Sequence, residues 1–83
     1  MKLLYFAWVK QKTGMAEEDV APPADIRDVS GLIAWLKTRG EGYNAAFVDL
    51  GVIRCAVDQE HGDLDTPIVG ATEVAFFPPV TGG

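Results

Sequence analysis

Cysteine occurs once in this 83-residue chain, as Cys55. A lone thiol cannot close an internal disulfide, so a reducing compartment, the cytoplasm, is expected. Positive charge is scarce as well: seven Lys and Arg stand against twelve Asp and Glu, a formal charge of −5. Nucleic acid and anionic membrane surfaces both require clustered cations, so the composition argues against either as a partner. A partner with a basic face fits the charge, and so does an acidic surface that serves solubility alone. The one histidine, His61, has no Cys or His at ligand spacing, which argues against a metal site. Long hydrophobic runs are missing too. The longest, Leu3 to Val9, is far too short for a bilayer span, and Lys10, Gln11 and Lys12 follow where a signal-peptide cleavage site needs small residues.

What remains suffices for one folded domain. Apolar residues make up 48% of the chain, well above disordered compositions. A chain this short buries only about 60% of the surface its unfolded form exposes, so the core is expected to be modest. Residues 2–9, KLLYFAWV, have strand character, and KQKTG at 10–14 suits a hairpin turn. EEDVA at 17–21 is a strand through pairing with the first, stopped by Pro22 and Pro23. In DVSGLIAWLKTRG, 28–40, Val29, Leu32, Ile33 and Leu36 share one helical face. Asp28 can cap that helix, Lys37 and Arg39 complement its dipole, and Gly40 can end it. Gly31 weakens the first turn by about 1 kcal/mol relative to alanine. Residues 41–51 are a connection with a short helical turn around Ala45 to Val48. IRCAVDQ at 53–59 is a strand, HGD at 61–63 a turn, Leu64 to Thr66 a possible short strand, and GATEVAFF at 70–77 a turn into the last strand. The order is β-β-α-β-β, an α+β fold, with a small extra strand between the last two.

Strand alternation exposes a shortage of cover. In the first strand Leu3, Tyr5, Ala7 and Val9 point one way and Leu4, Phe6 and Trp8 the other; in the last, Val74 and Phe76 oppose Ala75 and Phe77. Both faces are apolar, and strands of that kind need cover on both sides. One helix covers one face. The far face, around Phe6, Trp8 and Phe77, is covered either by residues 41–51 or by a partner, and a contiguous apolar patch favours the partner.

The chain closes on FFPPVTGG, 76–83. Pro78 and Pro79 cannot continue a β-ladder and favour an extended rod. Val80, Thr81, Gly82 and Gly83 carry no helix or strand signal, so residues 1–77 are expected to form the domain and 78–83 an extended, flexible tail. Its reach is at most about 20 Å, at ~3.3 Å per residue. Side-chain-free glycines can thread a channel that a Cβ would block. The Gly83 carboxylate is then reachable, but ionised at neutral pH, with an ordinary pKa near ~3.5; acyl chemistry there requires prior activation, typically as an adenylate. Chance alone closes roughly one chain in 200 with two glycines, and a chain cut at this point would also show them.

The stretches LLYFAWVK, VSGLIAWL, RCAVDQE and TEVAFFPPVTGG, which span essentially the whole chain in order, resemble the small, sulfur-carrier subunit of molybdopterin synthase. The terminal Gly-Gly is shared with thiamine-pathway sulfur carriers and ubiquitin-like modifiers, which stand as alternatives; the Phe-Phe-Pro-Pro step is more particular. The resemblance implies a ubiquitin-like β-grasp fold, a mixed sheet with one main helix packed on one face. It implies that an adenylating enzyme activates Gly83 with ATP, that sulfur leaves a C-terminal thiocarboxylate there, and that Pro78 to Gly82 thread into the large synthase subunit. There sulfur passes to a cyclic pyranopterin phosphate. The protein itself would bind no cofactor and act as a non-catalytic member of a hetero-oligomer. Phe6 and Phe77 match aromatic positions that pack against the large subunit, with Trp8 on the same expected face. Lys10 stands where the family often has arginine, offering a point charge in place of a fork. Asp58 replaces the usual asparagine of Val-Asn-Gln without an evident role. His61 and Gly62 replace a more apolar loop. Cys55 is expected as a buried small hydrophobe, Trp35 as partly buried packing, and Glu17, Glu18, Asp19, Asp63 and Asp65 as solvated surface.

Overall fold

The computed structural model describes residues 1–79. Its elements run β1 Lys2–Tyr5, α1 Ala7–Thr13, β2 Glu17–Asp19, α2 Val29–Lys37, α3 Glu41–Ala46, a 3₁₀ turn Leu50–Val52, β3 Arg54–Val57, β4 Glu60–Gly62 and β5 Glu73–Phe77. The five strands form one mixed sheet in the order β2-β1-β5-β3-β4. β1 and β5 are parallel, with Leu3 beside Val74 and Tyr5 beside Phe76, while every other pairing is antiparallel. This is the helix-on-mixed-sheet arrangement that a β-grasp requires.

The core lies between the sheet and the helices. Leu3 and Tyr5 of β1, Val74 and Phe76 of β5 and Cys55 of β3 point inward against Val29, Leu32, Ile33 and Leu36 of α2. Phe76 sits at the centre, stacked on Tyr5 at 6.2 Å between ring centroids and met edge-on by Phe47 at 5.0 Å. The main helix follows its spacing, and Asp28 Oδ1 accepts a hydrogen bond from Gly31 N at 2.7 Å, capping the first turn. Gly31 has a reason to be bare: a Cβ there would lie 3.1 Å from that same oxygen.

Several expected boundaries move. The apolar run 2–9 is not one strand. Ala7 takes a left-handed φ of 52°, the chain turns, and residues 7–13 become α1. The supposed hairpin turn 10–14 is this helix's C-terminal signal. Lys10 and Lys12 lie in its last turn, and Gly14, at φ 81°, closes it with its N–H on Lys10 O. Helix α2 stops at Lys37, where Thr38 Oγ1 donates to Trp35 O at 2.6 Å, rather than at Gly40. The 41–51 connection holds α3, earlier than the turn expected around Ala45 to Val48. Its Gly42 approaches α1 so closely that a Cβ would meet Lys12 O at 2.7 Å. Residues 41–46 therefore join the helical layer and do not cover the far face of the sheet. The chain reverses at Asp58 and Gln59, with φ of 49° and 69°, and not at His61–Asp63. The small extra strand is thus β4, residues 60–62, while Leu64 to Thr66 are no strand.

Candidate functional site

β5 is the central strand, and its last residue, Phe77, leads directly into Pro78 and Pro79. Val80, Thr81, Gly82 and Gly83 lie outside the described residues. Because β1 runs parallel to β5, the end of β1 arrives at the same edge, where Phe6 N donates to Phe76 O at 3.1 Å. Continuing the register places Phe6 beside Phe77 on the sheet face opposite the helices. The left-handed turn at Ala7 follows at once: Phe6 stays outside, 48% exposed, while Val9 is fully buried.

This open face has an apolar centre. Leu4, Ala56 and Ala75 lie level with one another across β1, β3 and β5, with His61 opposite Ala56 on β4. Phe77 is half-buried, and the imidazole of His61 meets its ring edge-on at 5.5 Å. Arg54 is exposed and pairs in register with Phe77. Charges gather at the other end of the face, where Lys2 pairs with Glu17 at 2.9 Å and Asp19 and Glu73 flank them. The structure therefore brings Phe6 and Phe77 together beside the Pro78–Pro79 step. It does not bring Trp8 with them. Trp8 belongs to α1, outside the strand alternation, and is half-buried against the core. Lys10 is exposed on the same short helix.

Cys55 is buried, with Sγ 3.6 Å from Asp63 O. Burial pushes its thiol pKa up, and the nearby Asp63 carboxylate adds to that. A thiol so placed is held away from the thiolate form that persulfide chemistry would need. No cluster of metal-ligating side chains occurs among the described residues.

Two polar features escaped the sequence reading. Asp58 is a tether: its Oδ1 accepts from Thr72 N (2.9 Å), Thr72 Oγ1 (2.8 Å) and Glu73 N (3.0 Å), tying the β3–β4 reversal to the start of β5. These bonds from Thr72 and Glu73 hold its carboxyl below the usual range. Glu18 is not solvated surface. Its carboxylate accepts from the hydroxyls of Tyr5 (2.8 Å) and Tyr43 (2.6 Å) and pairs with Arg39 at 3.1 Å. The Arg39 guanidinium in turn lies over the rings of Trp35 and Tyr43. Burial alone would raise the Glu18 pKa, but the two tyrosines and Arg39 together bring it below its ordinary value. Burial, then the bond to Glu18, push the Tyr5 pKa up. The usable signal was positional: Glu18 stands opposite Leu3 on β2, on the inward face.

The sequence profile of the ThiS family matches residues 3–83. A curated relative from Escherichia coli (strain K12), the molybdopterin synthase sulfur carrier subunit, is 37% identical over 83 residues, covering 100% of this chain and 99% of that protein. Its namesake from Haemophilus influenzae is 29% identical over 87 residues, with the same coverage. Among solved structures, SAMP1 from Haloferax volcanii superposes with a TM-score of 0.74 at 22% identity, over 100% of this chain and 98% of that one. A Pyrococcus furiosus protein described as a candidate molybdopterin converting factor, subunit 1, gives 0.69 at 26% identity over 95% of each chain.

Proposed function

The chain belongs to the ThiS family, and from that premise we propose that it is the sulfur carrier of molybdopterin synthase in molybdenum-cofactor biosynthesis. The observation that carries this reading is the end-to-end likeness to two sulfur-carrier subunits of that synthase. The geometry agrees with it. The central strand ends at the rim of an uncovered apolar face and hands the chain to a Pro-Pro step that cannot rejoin the ladder.

In this reading the reacting atoms are those of the Gly83 carboxyl group. An ionised carboxylate resists nucleophiles, so an activating enzyme first joins one of its oxygens to the α-phosphorus of ATP, and pyrophosphate leaves. Sulfide-level sulfur (HS⁻ or its equivalent) then attacks the acyl carbon, the C–O bond to AMP breaks as the C–S bond forms, and a thiocarboxylate remains. The tail from Pro78 to Gly82 delivers that sulfur into the large subunit, where it passes to a cyclic pyranopterin phosphate. The body supplies the address. Phe6 and Phe77 anchor the large subunit as aromatic hot spots, with Lys10 and Trp8 at the margin on α1. The cytoplasm is the proposed compartment, and no helix among the described residues is long and apolar enough to cross a membrane.

Intact mass spectrometry tests the chemistry. Incubation with ATP, the activating enzyme and a sulfur donor should shift the mass by one oxygen exchanged for sulfur, located on the C-terminal peptide. An unchanged mass with an enzyme active on another carrier defeats the proposal, and adducts on lysines of other proteins would assign a modifier instead.

A further inference from the structure

Arg54 occupies an unusual place for a cation in a chain of net charge −5. It opens β3 in register with Phe77, so it borders the open face where the tail departs. Its guanidinium is held by the backbone: Nη1 donates to Gly51 O and to Ile53 O, each at 3.1 Å. Nη2 and Nε have no partner among the described residues. The ion pairs among those residues are Lys2–Glu17 and Arg39–Glu18, and neither involves Arg54. Asp63 shares a cleft with Arg54 but turns its Oδ1 into its own loop, onto Asp65 N and Thr66 Oγ1. That cleft, about 350 Å³, has an apolar floor of Leu50, Ile53, Cys55 and Leu64.

We propose that Arg54 is a carboxylate receptor at the tail root: the large subunit, in covering the open face, presents an aspartate or glutamate side chain to the Nη2–Nε edge of this guanidinium. A guanidinium already fixed through one nitrogen loses little freedom on binding, and its remaining edge matches a carboxylate with two parallel hydrogen bonds. Arg54 is exposed at the rim of that face, so the pair stays in contact with solvent and responds to salt. Such a contact fixes register. It sets which partner surface can sit over Phe6 and Phe77 while the tail is inserted, and it makes Arg54 a specificity determinant beside the hydrophobic anchors.

The inference rests on the docking reading above, and the test separates the two. Binding of the purified large subunit to the full chain is measured by calorimetry at low salt and at about 0.5 M salt, where charge pairs are screened. Arg54→Glu should weaken binding about tenfold or more at low salt, with the deficit shrinking at high salt; Arg54→Lys should fall between it and the wild type. Arg54→Gln, which adds no repulsion, should flatten the salt dependence, and circular dichroism should show all three variants folded. If Phe77→Ala weakens binding but Arg54→Glu and Arg54→Gln stay within about twofold of wild type, the receptor is disproved and the docking face stands. If Phe77→Ala is also silent, both fail. A deficit in Arg54→Glu that is equal at both salt concentrations overturns the carboxylate assignment.

Discussion

The two faces of the sheet carry the same kind of residue and meet opposite fates. Inward, Leu3, Tyr5, Cys55, Val74 and Phe76 are all buried under the helices. Outward on the same three strands, Leu4, Ala56 and Phe77 remain partly exposed around the small, buried Ala75, and Phe6, just past β1, is 48% exposed. Composition does not separate them; cover does. The helices α1, α2 and α3 all lie on one side, and among the described residues no helix covers the other. An apolar face that its own chain leaves bare points outward to a partner. One face holds the protein together, and the other is available to hold it to something else.

The sharpest way to break this division is to separate chemistry from stability altogether. Deleting Gly82 and Gly83 should abolish sulfur transfer while leaving the melting temperature nearly unchanged, because the core lies wholly between residues 3 and 76. A large loss of thermal stability would contradict the division. The next test uses adjacent residues of one strand. Phe76→Ala should cost about 3–5 kcal/mol of folding stability, since it empties the centre of the core. Phe77→Ala should cost far less stability but weaken association with the large subunit by about 2 kcal/mol or more, if the ring is a hot spot. Chemical denaturation and calorimetry on both variants give the four numbers. Equal stability losses would mean the outer face is also structural.

How much of this could be read from the residues alone follows from which periodicities were unbroken. Val29, Leu32, Ile33 and Leu36 keep strict helical spacing behind a capping Asp28, so α2 was legible with its cap. Val74 to Phe77 alternate cleanly, and the inner and outer assignments of Phe76 and Phe77 follow. Alternation failed at Ala7, because an unbroken apolar run hides a change of period from two to 3.6. Only a left-handed backbone at Ala7 marks the switch, and no alanine announces one. Trp8 was misplaced for that reason. The reversal at Asp58–Gln59 was missed because neither residue is glycine, although its Asp-X pattern stabilises itself through bonds to a strand that arrives fourteen residues later. Glu18 was missed because its partners come from β1, α3 and the turn after α2, a juxtaposition that only the tertiary fold creates.

Glu18 also supplies the finest version of the two-face comparison, because its neighbour Glu17 shares strand, chemistry and charge but points outward. Glu17 meets Lys2 on the open face with both side chains about half exposed, and such pairs contribute little. Glu17→Gln should leave stability unchanged within error. Glu18 is 13% exposed and holds two tyrosine hydroxyls and Arg39. A glutamine there keeps the shape, but its amide nitrogen cannot accept what the second oxygen accepted, so Glu18→Gln should cost about 1–2 kcal/mol at neutral pH. The pH dependence fixes the cause. The folded-state pKa of Glu18 is lowered, so the unfolded chain binds this proton more readily, and the stabilisation is fully present above the unfolded value of ~4.3. It is lost as pH falls from there through the lower folded value. The stability gap between wild type and Glu18→Gln should therefore be flat at neutral and mildly acidic pH and close only below ~4.3. A gap that persists undiminished at lower pH would mean that the hydrogen bonds from Tyr5, Tyr43 and Arg39, not the charge, hold β2 against the helices.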